Sequence, residues 1–391
     1  MQVFLYGLAA ILLLFLAVLL RAGFVLARMR AHEREALNQT TILSWPKVAL
    51  IVPVCGEDPR IEPALRSLLA QDYPRFWPIF VTATNDEPAA GCIRRLAQAF
   101  PVIRHVCAGN ADLCGQKNHN LLAGVSAAST IAPDAYVFCD STHLAKPDFL
   151  QHLMLPIASG KAGIATGYHE IVPTTLDRTS LAYAASVLIM RLLQAQAVFT
   201  QPWGGAMAFS REVFERLGVR DLWQKTVVDD CALVPHLASH KCRVQLVASA
   251  LLETPVDQYR KEVFTAWMER QILFPRFCVP LQWWLLGLML FLFIMPPFIW
   301  IEDIWIHVSQ GHFWGLVAPI LWIGAFLGLV GCLRQFLPKP VGFWQWQRAF
   351  VCALLTFCTV YLGTIGSRGI VWHGKAYKVG KGGIVEEKRS V

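Results

Sequence analysis

Charged side chains are scarce in this chain of 391 residues: Asp, Glu, Lys and Arg make up 16% of it, against about 25% in ordinary soluble domains. The glycine-rich patterns that hold nucleotide phosphates are missing, since neither G-x-x-x-x-G-K-[ST] nor G-x-G-x-x-G occurs. The 11 cysteines form no C-x-x-C pair, which argues against a zinc site or a disulfide framework and fits a reducing compartment. No Lys/Arg-rich stripe is interleaved with aromatic residues, so nucleic acid is not an expected partner.

Hydrophobic residues are correspondingly abundant, at 55% of the chain, with a mean hydropathy of +0.44. They concentrate in four runs long enough to span a membrane, at residues 3–20, 283–301, 313–333 and 349–366. A long stretch of mixed composition separates the first run from the second. This distribution predicts a multi-pass membrane protein with one globular domain between its first helix and the others.

The first run is expected to be an uncleaved signal-anchor over residues 1–28, because no small-residue cleavage site follows it. Basic residues follow it instead, at Arg21, Arg28, Arg30 and Arg34. Since Lys and Arg are enriched on the cytoplasmic flanks of membrane helices, we expect the domain at 46–262 to be cytosolic. Residues 29–46 would be a polar connector. The net charge of +8 suits anionic lipid headgroups and a phosphorylated substrate.

Short apolar runs alternate with helical patterns through the first half of the domain. The predicted strands are Val48–Val52, Ile79–Ala83, Val102–Val106 and Ala135–Cys139, and the predicted helices are Ile61–Ala70, Cys92–Phe100 and Asn118–Ala128. The alternation predicts an α/β domain with a mostly parallel sheet, whose ligand site lies at the carboxyl ends of the strands.

Acidic clusters follow three of these strands. They contain Glu57 and Asp58, Asp86 and Glu87, and Asp140. One such cluster is commonly a turn or a helix cap, but three at equivalent strand ends favour a shared binding site. Because no phosphate-binding glycine pattern accompanies them, we expect a nucleotide to be held there through a divalent cation.

Motifs in a fixed order along about 230 positions carry a specific resemblance. They are Pro53 with Gly56, Asp58 and Pro59; Asp72-Tyr73-Pro74; Asp86; Gly115 to Leu121; Cys139-Asp140-Ser141; Trp203 to Met207; Asp229-Asp230; and Arg270. Together they resemble the ceramide glucosyltransferases, inverting enzymes of the GT-A fold. The resemblance implies a Rossmann-like catalytic domain, a UDP-sugar donor, and Mg²⁺ or Mn²⁺ as cofactor.

The same resemblance implies a role for individual residues. Asp230 matches the catalytic base, and Asp140 the metal-binding acid, although Asp140-Ser141-Thr142 stands where the wider superfamily has D-x-D. Arg270 retains part of a (Q/R)-x-x-R-W signature, with Trp267 as a partial replacement for its missing Trp. The expected substrate-binding residues are Gly56, Glu57, Asp86, Lys117, Asn118, Gly205, Asp229 and Trp267.

The rest of the chain is expected to return to the membrane. Residues 263–282 would form an interfacial segment, 283–370 the membrane helices, and 371–391 a basic tail. If all three C-terminal hydrophobic segments cross, the tail ends outside, although its basic residues favour the cytosol. A re-entrant segment is the alternative.

The expected reaction is transfer of a sugar, with glucose as the first choice, from a UDP-sugar to the hydroxyl of a membrane lipid such as ceramide. Two alternatives stay open: another acceptor lipid, such as a hopanoid or an isoprenoid, and polysaccharide synthesis. A catalytically silent scaffold is a further reading. Transport is disfavoured, because the hydrophobic runs contain no inverted repeat and no buried ionisable residue.

Overall fold

The computed structural model describes residues 2–39, 44–372 and 374–390. Its strands are β1 (Val48–Pro53), β2 (Phe76–Thr82), β3 (Arg104–Cys107), β4 (Ala135–Cys139), β5 (Ile164–Pro173), β6 (Ala206–Ser210), β7 (Gln245–Val256), β8 (Gly369–Trp372), β9 (Lys375–Val379) and β10 (Val385–Ser390). Its α-helices are α1 (Gln2–Gln39), α2 (Ile61–Leu69), α3 (Pro88–Ala99), α4 (Gln116–Ala128), α5 (Phe149–Ala158), α6 (Arg178–Gln194), α7 (Arg211–Arg216), α8 (Val219–Trp223), α9 (Leu233–Ser239), α10 (Lys261–Cys278), α11 (Pro280–Ser309), α12 (Val317–Leu333) and α13 (Phe343–Thr364).

The central sheet has seven strands in the order β3-β2-β1-β4-β6-β5-β7. Only β6 runs antiparallel to its neighbours β4 and β5, and every other adjacent pair is parallel. The strand β1 is apolar throughout and almost fully buried, as expected for a parallel strand covered on both faces. The predicted α/β class with a mostly parallel sheet is therefore confirmed.

Helices pack on both faces of this sheet, and two local features set their position. A side chain at Gly124 of α4 would collide with Ile51 of β1, so glycine allows the helix to approach the sheet closely. Helix α3 begins at Pro88, one turn before the predicted start at Cys92. Proline suits the first position of a helix, because the N–H it lacks would have no intrahelical partner there.

The first helix is much longer than the predicted span and corrects the expected polar connector. Helix α1 continues to Gln39, so most of residues 29–46 is helical, while residues 40–43 lie outside the described ones. Its last turns dock on β7: Arg30 Nε donates to the Ala248 carbonyl at 3.1 Å, and the Glu33 carboxylate accepts the N–H groups of Ala248 and Ser249 at 3.0 and 2.6 Å. The helix is thereby joined rigidly to the domain.

Four helices in the described ranges, α1, α11, α12 and α13, are long and apolar enough to cross a membrane. Three of them form a bundle in which α1 pairs with α11 and α12. Phe15 of α1 meets Phe293 of α11 with ring centroids 5.9 Å apart, and Trp322 of α12 donates its indole N–H to the Ala9 carbonyl of α1 at 3.1 Å. The one N-terminal and three C-terminal apolar helices agree with the expectation.

The fourth apolar helix, α13, has both ends on the domain side. The segment before it contacts the domain, where Arg191 donates to the Phe336 carbonyl at 2.9 Å and Lys339 to the Pro173 carbonyl at 3.0 Å. At its other end, Thr364 accepts the indole N–H of Trp283 at 3.3 Å, and Trp283 lies in the first turn of α11, next to the domain. Helix α13 therefore packs beside α6 and α10 and does not lead away from the domain.

The residues expected to be a basic tail form structure instead. Strands β8, β9 and β10 build a three-stranded antiparallel sheet in the order β10-β9-β8, with His373 and Val391 outside the described residues. This sheet, which we call the C-terminal sheet, packs on the domain through Ile370, Tyr377, Val379 and Val385. Its strand β10 begins beside the loop that follows α8, where Val385 N–H donates to the Lys225 carbonyl at 2.9 Å.

Candidate active site

Three carboxylates and one lysine meet at the carboxyl ends of the central strands. Lys117 lies in the first turn of α4, Asp140 directly follows β4, and Asp229 and Asp230 lie between α8 and α9. Lys117 Nζ is 2.8 Å from Asp140 Oδ1 and 3.0 Å from Asp229 Oδ2. It also donates to the Gly204 carbonyl at 3.3 Å. We call Lys117, Asp140, Asp229 and Asp230 the acidic centre.

Burial and mutual charge determine the ionisation of the acidic centre. Burial raises the pKa of Asp229 to about 6. The charge of Lys117 opposes this rise, whereas the charges of Asp230 and Asp140 add to it. Burial alone would lower the pKa of Lys117, but the carboxylates outweigh it and raise that pKa. Burial also disfavours ionisation of Asp140, yet Lys117 and His143 hold its pKa well below the usual range. Lys117 is therefore a permanent cation between two carboxylates.

Asp230 is oriented by two backbone donors. Its Oδ2 accepts the Gly204 N–H at 2.9 Å, and its Oδ1 accepts the Cys231 N–H at 2.6 Å. Asp230 is half-buried, whereas the neighbouring Asp229 side chain is only 1% exposed. Of the two adjacent acids, only Asp230 has solvent access for contact with a substrate.

A glycine-rich loop before β6 forms one wall of the acidic centre. A side chain at Gly204 would collide with Asp229 and Lys117, and one at Gly205 would collide with the ring of Trp203. The Gly205 carbonyl also accepts the Asp140 N–H at 3.2 Å. Glycine is required here because the backbone itself approaches the charged groups.

A buried histidine pair, His143 and His169, lies next to Asp140. Neither residue was predicted from the sequence. Thr254 Oγ1 lies 2.8 Å from Nδ1 of both His143 and His169, and His143 Nε2 lies 3.8 Å from Asp140 Oδ2. The His169 ring stacks on Trp203 with centroids 4.6 Å apart. Burial lowers the pKa of His169 well below its usual value, so this ring is neutral. A hydroxyl between two ring nitrogens can accept from one and donate to the other.

A second cluster lies where the domain meets the apolar helices. Tyr183 of α6 stacks on Tyr259 with centroids 4.7 Å apart and meets Trp267 of α10 edge-on at 4.6 Å. Arg270, one turn after Trp267, is half-buried near both tyrosines, and burial lowers its pKa. We call Tyr183, Tyr259, Trp267 and Arg270 the aromatic centre.

An ion pair in the loop after β1 lies between the two centres. Arg60 binds Asp58 through two hydrogen bonds, at 3.0 Å from Nε and 2.6 Å from Nη2. Asp58 lies within electrostatic range of His143, and Arg60 within that of Tyr183 and Tyr259. The Asp58–Arg60 pair thus interacts electrostatically with His143, next to the acidic centre, and with the two tyrosines of the aromatic centre. Sequence reasoning used Asp58 only as a motif residue and missed Arg60, although their i, i+2 spacing was visible.

The remaining predicted substrate-binding residues fall into two groups. Gly56, Glu57 and Asp86 are exposed in the loops after β1 and β2, on the same edge of the sheet as the acidic centre. Asn118 is fully buried, and its amide donates to the Thr226 carbonyl and hydroxyl at 2.9 and 3.0 Å. Asn118 therefore holds the loop that carries Asp229 and Asp230.

Comparison with known families agrees with this geometry. The sequence profile described as Glycosyl transferase family 21 matches residues 11–385. The chain belongs to glycosyl transferase family 21. This is the family of ceramide glucosyltransferases, so the sequence resemblance is confirmed at the family level. A search of curated protein sequences found no match to this glycosyltransferase.

Solved structures similar to this family 21 enzyme are glycosyltransferases as well. The mannosyltransferase PcManGT from Pyrobaculum calidifontis, in complex with GDP-Man and Mn²⁺, is 18% identical with a TM-score of 0.52, covering 91% of this chain and 99% of its own. A glucosyl-3-phosphoglycerate synthase from M. tuberculosis is 16% identical with a TM-score of 0.34, covering 62% and 80% of the two chains. At 18% identity the likeness to PcManGT concerns the fold alone, which is of the GT-A type.

Asp140, the predicted metal ligand, is partly exposed in this glycosyltransferase. Among the described residues, no three His, Cys, Asp or Glu side chains are arranged to hold a metal ion. Asp140 nevertheless keeps Oδ2 beyond hydrogen-bond distance of His143 Nε2, at 3.8 Å, and its side chain is 33% exposed. An ionised, partly exposed carboxylate is the kind of ligand that hard divalent cations prefer.

Proposed function

We propose that this family 21 enzyme transfers a sugar, with glucose as the first choice, from a UDP-sugar to the hydroxyl of a membrane lipid, with ceramide as the leading acceptor. The observation that carries the proposal is the acidic centre at the carboxyl ends of the central strands, in a chain with four helices apolar enough to cross a membrane. Tyr183 of the aromatic centre belongs to the hydrophobic cluster that includes residues of all four apolar helices. A polar donor would bind at the acidic centre, and a lipid acceptor would approach it from the aromatic centre.

The donor end would be formed by the loops after β1, β2 and β4. Asp86 would bind the uridine and ribose part of the donor, with Gly56 and Glu57 beside it. Exposure of all three residues supports this role. Their location at the carboxyl ends of parallel strands is where nucleotides commonly bind in open α/β sheets. The Gly204-Gly205 backbone would bound the sugar, because no side chain intervenes.

Asp140 would bind Mg²⁺ or Mn²⁺ together with the diphosphate. When bound, the cation would neutralise the charge that grows on the leaving group as the bond from sugar C1 to the phosphate oxygen breaks. The complex of PcManGT with GDP-Man and Mn²⁺ makes a divalent metal plausible for this fold. Lys117 holds Asp140 ionised, which favours binding of a cation to this carboxylate.

Asp230 would be the general base of an inverting displacement. The acceptor hydroxyl oxygen would attack C1 from the face opposite the leaving diphosphate, and its proton would pass to Asp230. The two backbone donors of Gly204 and Cys231 hold the carboxylate in one orientation. Asp229, which is buried, would position Lys117 and would not contact substrate.

The acceptor end would use Trp267 and Arg270. Aromatic rings and an arginine at the junction between domain and apolar helices suit a lipid with a polar head, because rings pack on hydrocarbon and a guanidinium binds oxygen atoms. The arginines from Arg21 to Arg34 favour a cytosolic domain. If α13 lies along the near surface of the membrane, three helices cross and the C-terminal sheet stays with the domain.

The experiment compares Asp230→Asn, Asp229→Asn and Asp86→Ala in purified protein, with UDP affinity and lipid glycosylation both measured. A panel of UDP-sugars and lipids, including ceramide, a hopanoid and an isoprenoid alcohol, would identify the substrates from product mass. We expect Asp230→Asn to reduce transfer roughly 100-fold or more, since general-base catalysis contributes about that factor, with little change in UDP affinity. Asp86→Ala should mainly weaken UDP binding.

Asp229→Asn is the matched control for the base. It changes the adjacent carboxylate in the same way but should reduce transfer less than Asp230→Asn. Near-normal transfer by Asp230→Asn would assign the base to another residue. Absence of transfer from every UDP-sugar by the unmodified enzyme would reject the proposed reaction.

A further inference from the structure

The C-terminal sheet reaches the donor end of the proposed active site. Thr226 and Ile384 form an antiparallel bridge, and the Val227 N–H donates to the Gly383 carbonyl at 2.8 Å. Val227 lies two residues before Asp229. The connection between β9 and β10 is therefore bonded directly to the loop that carries the acidic centre.

One lysine of this sheet points toward the loops that follow β1, β2 and β3. Lys375, the first residue of β9, donates from Nζ to Gln116 Oε1 at 2.7 Å. Gln116 in turn donates to the Gly109 carbonyl at 2.8 Å and accepts the Ala111 N–H at 3.0 Å. Lys375 also lies within electrostatic range of Glu87, in the loop that contains Asp86.

The charge of Lys375 is not balanced by any ion pair within the part of the chain that the structure describes. Its hydrogen-bond partner is a neutral amide, and its side chain is half-buried. Burial and the nearby Lys388 both lower the pKa of Lys375. A half-buried ammonium group held by a neutral amide, beside exposed nucleotide-binding loops, is suited to an incoming anion.

We propose that Lys375 binds the diphosphate of the nucleotide-sugar donor, so that the C-terminal sheet completes the donor site. This inference rests on the proposed function, which supplies the donor. The site is built from residues separated by 259 positions, Gln116 and Lys375. It also gives a reason for the chain to return to the domain after α13: the apolar helices and the donor site are joined through one sheet.

The matched control is Lys378, on the same strand. Side chains alternate between the two faces of a strand, so Lys378 faces away from Lys375. It is exposed and pairs with Glu386 at 3.0 Å. Lys378→Gln therefore makes the same chemical change three residues away without touching the proposed site.

The experiment measures the affinity of UDP and of uridine by calorimetry for the full-length enzyme and for Lys375→Gln, Lys375→Arg and Lys378→Gln. We expect Lys375→Gln to weaken UDP binding about 10-fold or more, as for loss of one charge-assisted hydrogen bond, and to leave uridine binding unchanged. Lys375→Arg should retain most of the UDP affinity, and Lys378→Gln all of it.

Each other result has a defined meaning. Unchanged UDP affinity in Lys375→Gln would overturn the inference, and so would an equal loss of uridine affinity, because the contact would then be to the nucleoside. Thermal unfolding midpoints of the variants, compared with the unmodified enzyme, exclude a folding defect. If the unmodified enzyme bound no UDP, the proposed donor itself would fail, which is distinct from failure of Lys375 alone.

Discussion

Replacing Lys117 by Met should destabilise the domain strongly, because it leaves a buried carboxylate without its counter-ion. The substitution keeps the unbranched stem and removes the ammonium group that lies 3.0 Å from Asp229 and 2.8 Å from Asp140. Asp140 can be solvated, since 33% of its side chain is exposed, whereas Asp229 is 1% exposed. The loss of stability therefore comes mainly from the unpaired, buried carboxylate of Asp229.

The size of the effect follows from the burial of Asp229. Breaking a buried ion pair by removing one partner costs about 3–5 kcal/mol. For a domain of this size, 1 kcal/mol shifts the midpoint of thermal unfolding by about 2–4 °C. The midpoint of Lys117→Met should thus fall by roughly 6–20 °C. Tryptophan fluorescence of the detergent-purified protein would follow the transition.

The loss should depend on pH in a specific direction. Even with Lys117 present, burial raises the pKa of Asp229 to about 6 from its ordinary value of 3.8. A group whose pKa is higher in the folded state favours folding most when it is protonated, and this contribution is lost as the pH rises from about 4 to 6. Without Lys117 the pKa of Asp229 should rise further, so Lys117→Met should be less destabilised at pH 5 than at pH 7.5.

The double variant Lys117→Met/Asp229→Asn tests the cause. With both charges removed, no ionised group is buried at this position, and stability at pH 7.5 should recover part of the loss. A fall of less than about 2 °C in Lys117→Met would mean that the pair contributes no more than a surface salt bridge. The absence of any recovery in the double variant would locate the loss in packing and refute the electrostatic reasoning.

Two further predictions concern the metal and the orientation. Asp140→Asn, which keeps an oxygen for Lys117 but lowers the charge, should weaken the Mn²⁺ dependence of transfer and reduce the rate roughly 100-fold; full activity of this variant in excess chelator would contradict the metal assignment. Cys107, exposed at the end of β3, should react with a membrane-impermeant maleimide only after cells are permeabilised, and labelling in intact cells would contradict a cytosolic domain.

Sequence patterns among neighbouring residues predicted strands and helices of the central domain well. Strand β4 occupies the predicted residues Ala135–Cys139, and α2 begins at the predicted Ile61, because an apolar run or a helical spacing is a property of neighbouring residues. The predicted end of the first helix was wrong for a physical reason. Residues 29–39 are mostly polar, yet their helix is stabilised by contacts of Arg30 and Glu33 with β7, more than 200 positions away.

The candidate site was predicted only in part, for the same reason. The acids at the ends of β2 and β4 were visible because strand ends are local features. The partners of Lys117 were not, since one carboxylate directly follows β4 and the other comes from a loop more than 100 positions after Lys117. The histidine pair depends on Thr254, which lies 111 and 85 positions from His143 and His169. Contacts of this kind follow from sheet topology and have no signal in a single sequence.

The charge of the acidic centre explains why further cations should be needed at the donor end. Three carboxylates surround one ammonium group, so the centre is about two charges negative when all are ionised, and a donor diphosphate brings further negative charge. In a partly buried site such repulsion is weakly screened. A divalent ion at Asp140 and the ammonium group of Lys375, both proposed, would offset this negative charge. Without them the acidic centre would repel the diphosphate. Binding of UDP should therefore weaken most when metal is withdrawn from Lys375→Gln, more than either change alone produces.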